Sequence, residues 1–543
     1  MRAGYLFLLV LTGLANAAMA QVKTPGKDTV MKGATIEVIQ AYKPVVKQAP
    51  KPEWVPQLPP PDTIHKAETY DDVPQQSLYF TYTSMPLHPL ALGKDDEAIP
   101  YRDYIKLGAG NLNTTYFDMG IGALHGQNFE TAFHLHGLDQ KGGIVNQQTS
   151  EAGIEAEGML HAAIGDWHVL LAGEQHKYLD YGYNHDLYHF TGDSIKHFYN
   201  LLKATIDLQS KGDSNAAFSW HPALNFSTYG GLHNASENTF DFELPFAYKI
   251  EKNLQAKLAL SGAVTGYNND STISNNFVRL LAGFGYSNNL FSGHALLGYV
   301  AGKYNKNYLL PDIQASYQLP GTTYRLFAGV QSSFRQNTYE QLTTENPYML
   351  SAYQVLQSRK TEYLVGLQGA SGDHFSWSGR LSYWDFKNLP TFLNNFGDQK
   401  QFLVAYDTSV TAFSVKLGAR YKDANIWSAG LSADIYHYGK GSLPDVWGMP
   451  ATTLKGDVTV TYIPKLTLSA YLLIQGGIHA RDNFNHTITL NPYADLGGSG
   501  EYQIIKRLSV FLQLNNILNN QYQRWLNYQA YGINIYGGLR LKF

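Results

Sequence analysis

From Tyr104 to its end, the chain repeatedly alternates hydrophobic and polar side chains. Successive residues of a strand point to opposite faces, so this alternation predicts strands with one apolar and one polar face. Clear examples are residues 254–258, 466–478 and 533–543. Many of these segments are roughly ten to fifteen residues long, which is enough for a tilted strand to cross a bilayer.

Counting these segments predicts an all-β fold, a transmembrane antiparallel β-barrel of about 22 strands over residues 104–543. The barrel must be a closed ring, because lipid offers no hydrogen-bond partner to an open strand edge. An even number of strands returns the C-terminus to the side on which residue 103 lies. The predicted strands begin near residues 104, 115, 128, 152, 167, 195, 216, 237, 254, 276, 290, 307, 323, 358, 374, 401, 426, 451, 466, 489, 508 and 531.

The connections between the predicted strands alternate between short and long. Short ones such as Pro320-Gly321 contain tight-turn residues, and we expect them on the periplasmic side. Long ones such as 338–358 and 388–400 are expected outside the cell. A break at residues 407–409 would divide 401–421 into two strands and move the 388–400 loop to the wrong side. We therefore predict one long strand over 401–421.

Aromatic residues cluster near the predicted strand ends. Such clusters are typical of the interfacial girdles of membrane barrels, where amphipathic rings lie at the level of the lipid headgroups. The alternative is ordinary packing inside a β-core. The residues concerned are Tyr178, Tyr181, Tyr183, Tyr383, Trp384, Tyr436, Tyr438, Tyr522, Trp525 and Tyr528.

The first twenty residues have the pattern of a signal peptide, with Arg2, an apolar run over 5–14 and a small-x-small cleavage site at 18–20. The mature chain is then expected to begin at Gln21. The apolar run is short for a membrane helix, which needs about 20 residues.

Residues 21–103 differ from the rest of the chain because they are rich in proline, with a Pro59-Pro60-Pro61 run. Proline has no backbone N–H and favours extended conformations, so we interpret this segment as a periplasmic arm that is extended or disordered. Two alternatives remain. The arm docks on the barrel or on a periplasmic or outer-membrane protein partner, or it is a tether without a partner.

The composition excludes several kinds of chemistry. The chain has no cysteine, so disulfides, thiolate metal sites, cysteine nucleophiles and a lipoprotein anchor are all excluded. Charged residues make up 16 % of the chain and the net charge is −3. This balance gives no reason to expect a nucleic-acid partner. Beyond the first twenty residues, no apolar stretch reaches the length of a membrane helix, so the expected location is the cell outer membrane, with lipid around the barrel.

The C-terminal region resembles the TonB-dependent receptor superfamily. Residues 514–522 match the Asn-Leu-x-Asn-x-x-Tyr pattern that ends the penultimate strand there, and Tyr528, Gly532 and the final strand ending at Phe543 follow. The resemblance implies a 22-stranded barrel, and the terminal Phe543 implies recognition by the barrel-assembly machinery. The proline-rich arm and tyrosine-rich strands also resemble outer-membrane proteins of the Bacteroidetes. Receptors of this superfamily carry a plug domain of well over a hundred residues, whereas the arm is shorter and too proline-rich for a compact plug.

No catalytic motif is present, so we expect no enzyme activity, no cofactor and no resident metal. His134 and His136 share a strand face and could hold a metal between them, but a pore-facing or interfacial histidine pair is the favoured interpretation. Charges on the polar strand faces are mixed in sign, so they indicate neither cation nor anion selectivity. Examples are Lys203, Asp207, Lys257, Arg540 and Lys542.

Two functions are consistent with these features. In the first, the chain is a plug-less barrel that acts as an envelope component or an accessory of a larger outer-membrane complex. In the second, it is a transport protein, either a diffusion channel or a divergent TonB-dependent receptor that imports an unknown solute.

Overall fold

The computed structural model describes residues 103–543, apart from 127, 212–216, 232–234, 304–305, 398, 424–425 and 483, and apart from the side chains of 123–125. The predicted signal peptide and nearly all of the predicted arm lie outside the described residues, as does the turn expected near Gly212. No helix in the described part of the chain is long and apolar enough to cross a membrane.

The strands are numbered β1–β30 in chain order. The first half of the wall comprises β1 (Tyr104–Gly110), β2 (Thr115–His125), β3 (Phe129–Lys141), β4 (Gln148–Ala162), β5 (Gly165–Leu179), β6 (Lys196–Gln209), β8 (Ala223–Gly230), β9 (Ser236–Glu251), β10 (Leu254–Asn269), β12 (Phe277–Ser287) and β13 (Phe291–Ala301). The second half comprises β14 (Asn307–Gln318), β15 (Arg325–Arg335), β16 (Ser358–Ser371), β17 (Phe375–Lys387), β20 (Val410–Asp423), β21 (Trp427–Tyr438), β22 (Thr452–Val460), β23 (Leu466–Gly476), β26 (Tyr493–Ile505), β27 (Leu508–Asn515) and β30 (Asn534–Lys542).

The remaining elements are short. Strands β7 (Phe218–Trp220) and β11 (Ser271–Ser274) extend the wall beside β9 and β10. Three hairpins lie in the connections: β18 (Leu389–Asn394) with β19 (Phe402–Asp407), β24 (His479–Arg481) with β25 (Thr487–Thr489), and β28 (Gln523–Trp525) with β29 (Tyr528–Gln529). A 3₁₀ turn covers Gly192–Ser194, and one α-helix, α1, covers Tyr339–Glu345.

Antiparallel pairing of neighbouring strands closes the wall into a ring of 22 strands. The ring is completed where β1 pairs with β30, with Tyr104 opposite Lys542 and Ala109 opposite Gly537. Every wall strand therefore has a hydrogen-bonded neighbour on both sides, as lipid requires. The predicted all-β fold, an antiparallel barrel of 22 strands, is confirmed.

The two faces of each strand differ in the way that the alternation predicts. On β5, the apolar side chains Trp167, Val169 and Leu171 are exposed on the outer surface. The alternate positions point into the lumen, where His168 contacts Glu157 on the neighbouring strand β4 and Glu174 contacts His176 on β5 itself. The exposed apolar face suits contact with lipid hydrocarbon, and the polar face suits a lumen.

The predicted single strand over 401–421 is wrong. Residues 402–407 form β19, which pairs with β18 outside the wall, and only the part from Val410 onward enters the barrel. Asp407 causes the break, because its buried carboxylate accepts hydrogen bonds from the backbone N–H groups of Ser409 at 3.0 Å and Ser442 at 2.9 Å. The added hairpin keeps the wall at 22 strands.

Most of the aromatic residues interpreted as interfacial girdles lie on the inner side of the barrel. Trp384 and Phe386 stack with their ring centroids 5.6 Å apart, and both are buried. Alternation carries these side chains to the lumen face, and the long loops then cover them. Tyr383 does keep the predicted place, because it is 49 % exposed on the outer face directly opposite Tyr363. Those found on the inner side or in the loops are Tyr178, Tyr181, Tyr183, Trp384, Tyr436, Tyr438, Tyr522, Trp525 and Tyr528.

Candidate functional site

Long loops fold into one mouth of the barrel and pack against aromatic side chains of the wall. We call this packed set the mouth cluster. Burying each of its large side chains contributes about 1.5–3 kcal/mol, so the loops have a substantial reason to remain folded inward. Its members are Tyr181, Tyr199, Tyr229, Ala235, Tyr267, Tyr339, Leu342, Tyr348, Met349, Ala352, Val355, Phe392, Phe402, Trp525 and Tyr528.

Helix α1 is held in the mouth by its N-terminus. Thr338 caps the helix, with its hydroxyl accepting from the backbone N–H of Gln341 at 3.2 Å. Glu237, a buried wall residue on β9, accepts from the backbone N–H of Tyr339 at 2.8 Å and of Glu340 at 3.3 Å. A carboxylate at this end of a helix satisfies free N–H groups and favours the helix dipole. The wall therefore fixes the position of the helix inside the mouth.

A buried polar group joins three loops beneath the mouth cluster. Asp180 and His197 are both 0 % exposed, and His197 Nε2 lies 2.8 Å from Asp180 Oδ1. Gln401 Nε2 donates to Asp180 Oδ2 at 2.9 Å, and the Tyr528 hydroxyl donates to Asp180 Oδ1 at 3.1 Å. Buried polar groups are costly unless they are satisfied. Separating these loops would leave the Asp180 carboxylate with fewer partners, so this group stabilises the closed mouth.

One side of the lumen wall is lined by carboxylates and histidines. We call it the acidic sector, and it extends over strands β2–β9. His168 Nε2 lies 2.8 Å from Glu157, and its Nδ1 lies 2.8 Å from Asp207, which also contacts His221 at 2.9 Å. The other lumen-facing carboxylates of this sector are Asp118, Glu130, Glu151, Glu155, Asp166, Glu174, Glu237, Asp241 and Glu243.

Another part of the wall, strands β15–β20, is lined by arginine and lysine. We call it the basic sector. Arg380 on β17 and Lys416 on β20 occupy directly opposed positions in the register. Like charges placed opposite each other destabilise a sheet. Glu362 lies 3.5 Å from Arg380 and compensates for part of this repulsion. The other lumen-facing cations of this sector are Arg325, Arg335, Lys360 and Arg420.

His134 and His136 point into the lumen as an adjacent pair, with ring centroids 5.2 Å apart. His134 lies 3.4 Å from Asp118 and 3.6 Å from Glu155, so it belongs to the acidic sector. Within the described residues, no group of three or more His, Asp or Glu side chains has the geometry of a metal site. The arrangement is that of a pore-facing histidine pair.

Sequence reasoning identified the polar faces but missed how their charges are divided. Only the order of strands around the ring brings like charges together into two sectors, and Lys203, which faces the lumen on β6 as Asp207 does, is a cation within the acidic sector. The group around Asp180 was also missed, because Asp180, His197 and Gln401 lie far apart in the sequence and carry no motif. The connection that contains Asp180 has the polar sequence of an ordinary loop, so its sequence does not indicate that the carboxylate is buried.

Comparison with solved structures gives the barrel a clear set of structural neighbours. The FrpB iron transporter from Neisseria meningitidis superposes with a TM-score of 0.64 at 11 % identity, over 81 % of each chain. The siderophore receptor PirA from Acinetobacter baumannii gives 0.63 at 7 % identity, over 81 % of this chain and 80 % of that one. The pyoverdine outer membrane receptor FpvA from Pseudomonas aeruginosa gives 0.59 at 11 % identity, over 82 % and 78 %.

No protein-family profile and no curated protein sequence matches the chain. The similarity to the solved structures therefore concerns the fold, in which a long antiparallel ring encloses a polar lumen. The chain forms a 22-stranded antiparallel β-barrel with the fold of these solved transporter and receptor structures.

Proposed function

We propose that the barrel passes a polar solute across the outer membrane through its charge-divided lumen, with the mouth cluster as the closed outer gate. The observation that carries the proposal is the division of the wall into an acidic and a basic sector. A barrel that served only as a scaffold would gain nothing from opposing Arg380 to Lys416, because that pair costs stability. Charged lumen walls instead attract and orient charged solutes.

The structural neighbours agree with a transport role, since they include an iron transporter, a siderophore receptor and a pyoverdine receptor. They also agree with a non-enzymatic protein. The identity of the solute is not carried over from them. The chemistry of the two sectors favours a solute that bears both positive and negative groups, because each sector attracts one sign of charge.

Planar-bilayer conductance tests the proposal. In the gate variant Tyr348→Ala/Tyr528→Ala, two stacked rings of the mouth cluster are removed. The matched control is Tyr353→Ala/Phe484→Ala, which removes two loop aromatics that are 78 % and 80 % exposed. We expect the gate variant to conduct more than the native protein and the control to behave like the native protein.

The charge of the sectors is then tested in the gate variant. Replacing Glu157 and Asp207 with Gln and Asn should shift the reversal potential toward anion preference. Replacing Lys360 and Lys416 with Gln should shift it toward cation preference. High salt should weaken both shifts by screening. A gate variant that remains non-conducting, or two neutralisations that act in the same direction, would contradict the proposal.

A second candidate function is that of a plug-less accessory of a larger outer-membrane complex. The dense packing of the mouth cluster favours it, because a permanently closed barrel would serve as a membrane scaffold. Affinity purification of the full chain from native membranes tests this role. A stoichiometric partner together with a non-conducting gate variant would favour the accessory role over transport.

A further inference from the structure

The lumen face near the closing strands contains a groove of about 420 Å³. We call it the seam groove. It is lined from β1, β2, β23, β26, β27 and β30, and it opens toward the end of the barrel at which the chain enters β1 and leaves β30. Its cationic side chains are Lys106, Lys465, Arg540 and Lys542, and Glu501 is the carboxylate among its lining residues.

The charges of the seam groove are only partly compensated. Two carboxylates face its four cations. Glu501 lies 3.1 Å from Arg540 Nη1 and 3.7 Å from Lys106 Nζ, and Asp118 on β2 is opposite Lys106 in the register. The Nε atom of Arg540 is buried and has no hydrogen-bond partner among the described residues. The guanidinium lies over the Tyr104 ring, 4.5 Å from its centroid, which holds it at the groove. The groove is therefore suited to a further group of negative charge.

The chain itself provides such a group next to this place. Residue 103 is anchored at the seam, where its backbone carbonyl accepts from the N–H of Phe543 at 3.2 Å. Asp95, Asp96 and Glu97 form the longest acidic run of residues 21–103. The seven residues from Glu97 to Tyr104 span at most about 25 Å. Three strand spacings correspond to about 14 Å, so the acidic run can reach any part of the groove.

We propose that the acidic run Asp95–Glu97 docks in the seam groove and ties the C-terminal end of the arm, next to β1, to the periplasmic end of the lumen. Charge complementarity is the attraction, and the short covalent link gives the acidic run a high effective concentration at the groove. The proposal concerns the arm and does not depend on whether a solute passes through the barrel.

Disulfide trapping tests the docking, and the absence of native cysteine makes the assay clean. Ala98→Cys, beside the acidic run, is combined with Gln503→Cys in the groove. The matched control combines Ala98→Cys with Met159→Cys. Gln503 on β26 and Met159 on β4 each lie three strands from β1, on opposite sides, and both face the lumen near the same end. Neither pair removes a charge, and a disulfide requires Cα atoms within about 7 Å.

We expect the Gln503 pair to cross-link several times faster than the Met159 pair. Adding Asp95→Asn, Asp96→Asn and Glu97→Gln, or raising the salt concentration, should reduce the Gln503 rate to that of the control. Heat-modifiable gel mobility checks that each variant forms the barrel. Equal rates for the two pairs, or a Gln503 rate that neutralisation leaves unchanged, would overturn the proposal. Conductance is measured separately, so failure of the docking and failure of the transport function are distinguishable.

Discussion

Tyr348 and Tyr528 stack face to face in the barrel mouth, with their ring centroids 3.7 Å apart. Tyr348 follows helix α1, and Tyr528 lies in the hairpin of β28 and β29, so this contact joins two separate loops. Burial raises the pKa of both hydroxyls well above the usual range, so both remain neutral. The Tyr528 hydroxyl is therefore available as a donor to Asp180 at any physiological pH.

The first prediction concerns this contact. Tyr528→Phe keeps the stacked ring and loses the hydrogen bond to Asp180, which should cost about 1 kcal/mol of loop stability. Tyr528→Ala loses the ring as well and should cost about 3–5 kcal/mol. Hydrogen exchange of the backbone amides of 339–357 measures the difference. Tyr353→Ala, at a residue 78 % exposed, should leave the exchange unchanged. Equal exchange in the Phe and Ala variants would show that the stacking contributes little.

The second prediction concerns pH and Glu340 of helix α1. Burial raises the pKa of this carboxyl above its usual 4.5, and Lys203 opposes that rise. As pH rises, the Glu340 carboxyl therefore loses its proton at a lower pH in the unfolded loop than in the folded loop. The folded loop becomes less stable as pH rises from about 4.5 to the raised pKa. Glu340→Gln removes this penalty. We expect slower hydrogen exchange of α1 in the variant at pH 7, and no difference below the usual carboxyl pKa. A difference that persists at low pH would assign the effect to something other than ionisation.

The third prediction concerns orientation. Cysteines replacing Tyr353 or Phe484, in the long connections, should react with an impermeant thiol reagent on intact cells. A cysteine replacing Tyr462, which is 68 % exposed in the turn between β22 and β23, should react only after the outer membrane is opened. The high exposure of all three side chains means that burial does not limit labelling. The reverse pattern would place the long loops in the periplasm.

The fourth prediction concerns the arm, residues 21–100. Strand pairing is complete from Tyr104 onward, so the wall does not need the arm. We expect a chain that keeps the signal peptide but lacks 21–100 to insert into the outer membrane and to keep heat-modifiable gel mobility. Its conductance is then compared with that of the full chain. A truncated chain that fails to insert would show that the arm is part of the barrel fold.

The alternation of side chains was sufficient to place the wall strands. The predicted starts at 104, 358 and 466 coincide with those of β1, β16 and β23. The outward-facing side chains of a wall strand contact lipid hydrocarbon, so they must be apolar. The alternation is therefore visible in the local sequence. The break at Asp407 was misjudged, because its cause is a set of hydrogen bonds to a loop 35 residues further along the chain.

The packing of the loops was harder to predict, because it also depends on contacts between residues that are distant in the sequence. Trp525 and Tyr528 look like girdle residues in the sequence, since an aromatic side chain near a strand end suits both a membrane interface and a buried core. Whether it is buried depends on partners such as Phe402, which come from other loops. The charge sectors depend in turn on which strands are neighbours around the ring. Loop packing and the charge sectors arise only in the complete tertiary structure, so no local sequence pattern predicts them.

Closure also has a consequence for how the barrel forms. The last pairing, between β1 and β30, joins Tyr104 to Lys542, so almost the entire described chain forms the loop that this contact must close. The entropy cost of such a loop grows only slowly with its length, but contacts of high sequence separation form late and slow the folding of a chain. Until the final strand is in place, β1 presents an unpaired edge of the kind through which strands of different molecules aggregate. Loss of residues 534–543 would thus leave two such edges, on β1 and β27, and convert a sealed ring into an open, self-associating sheet.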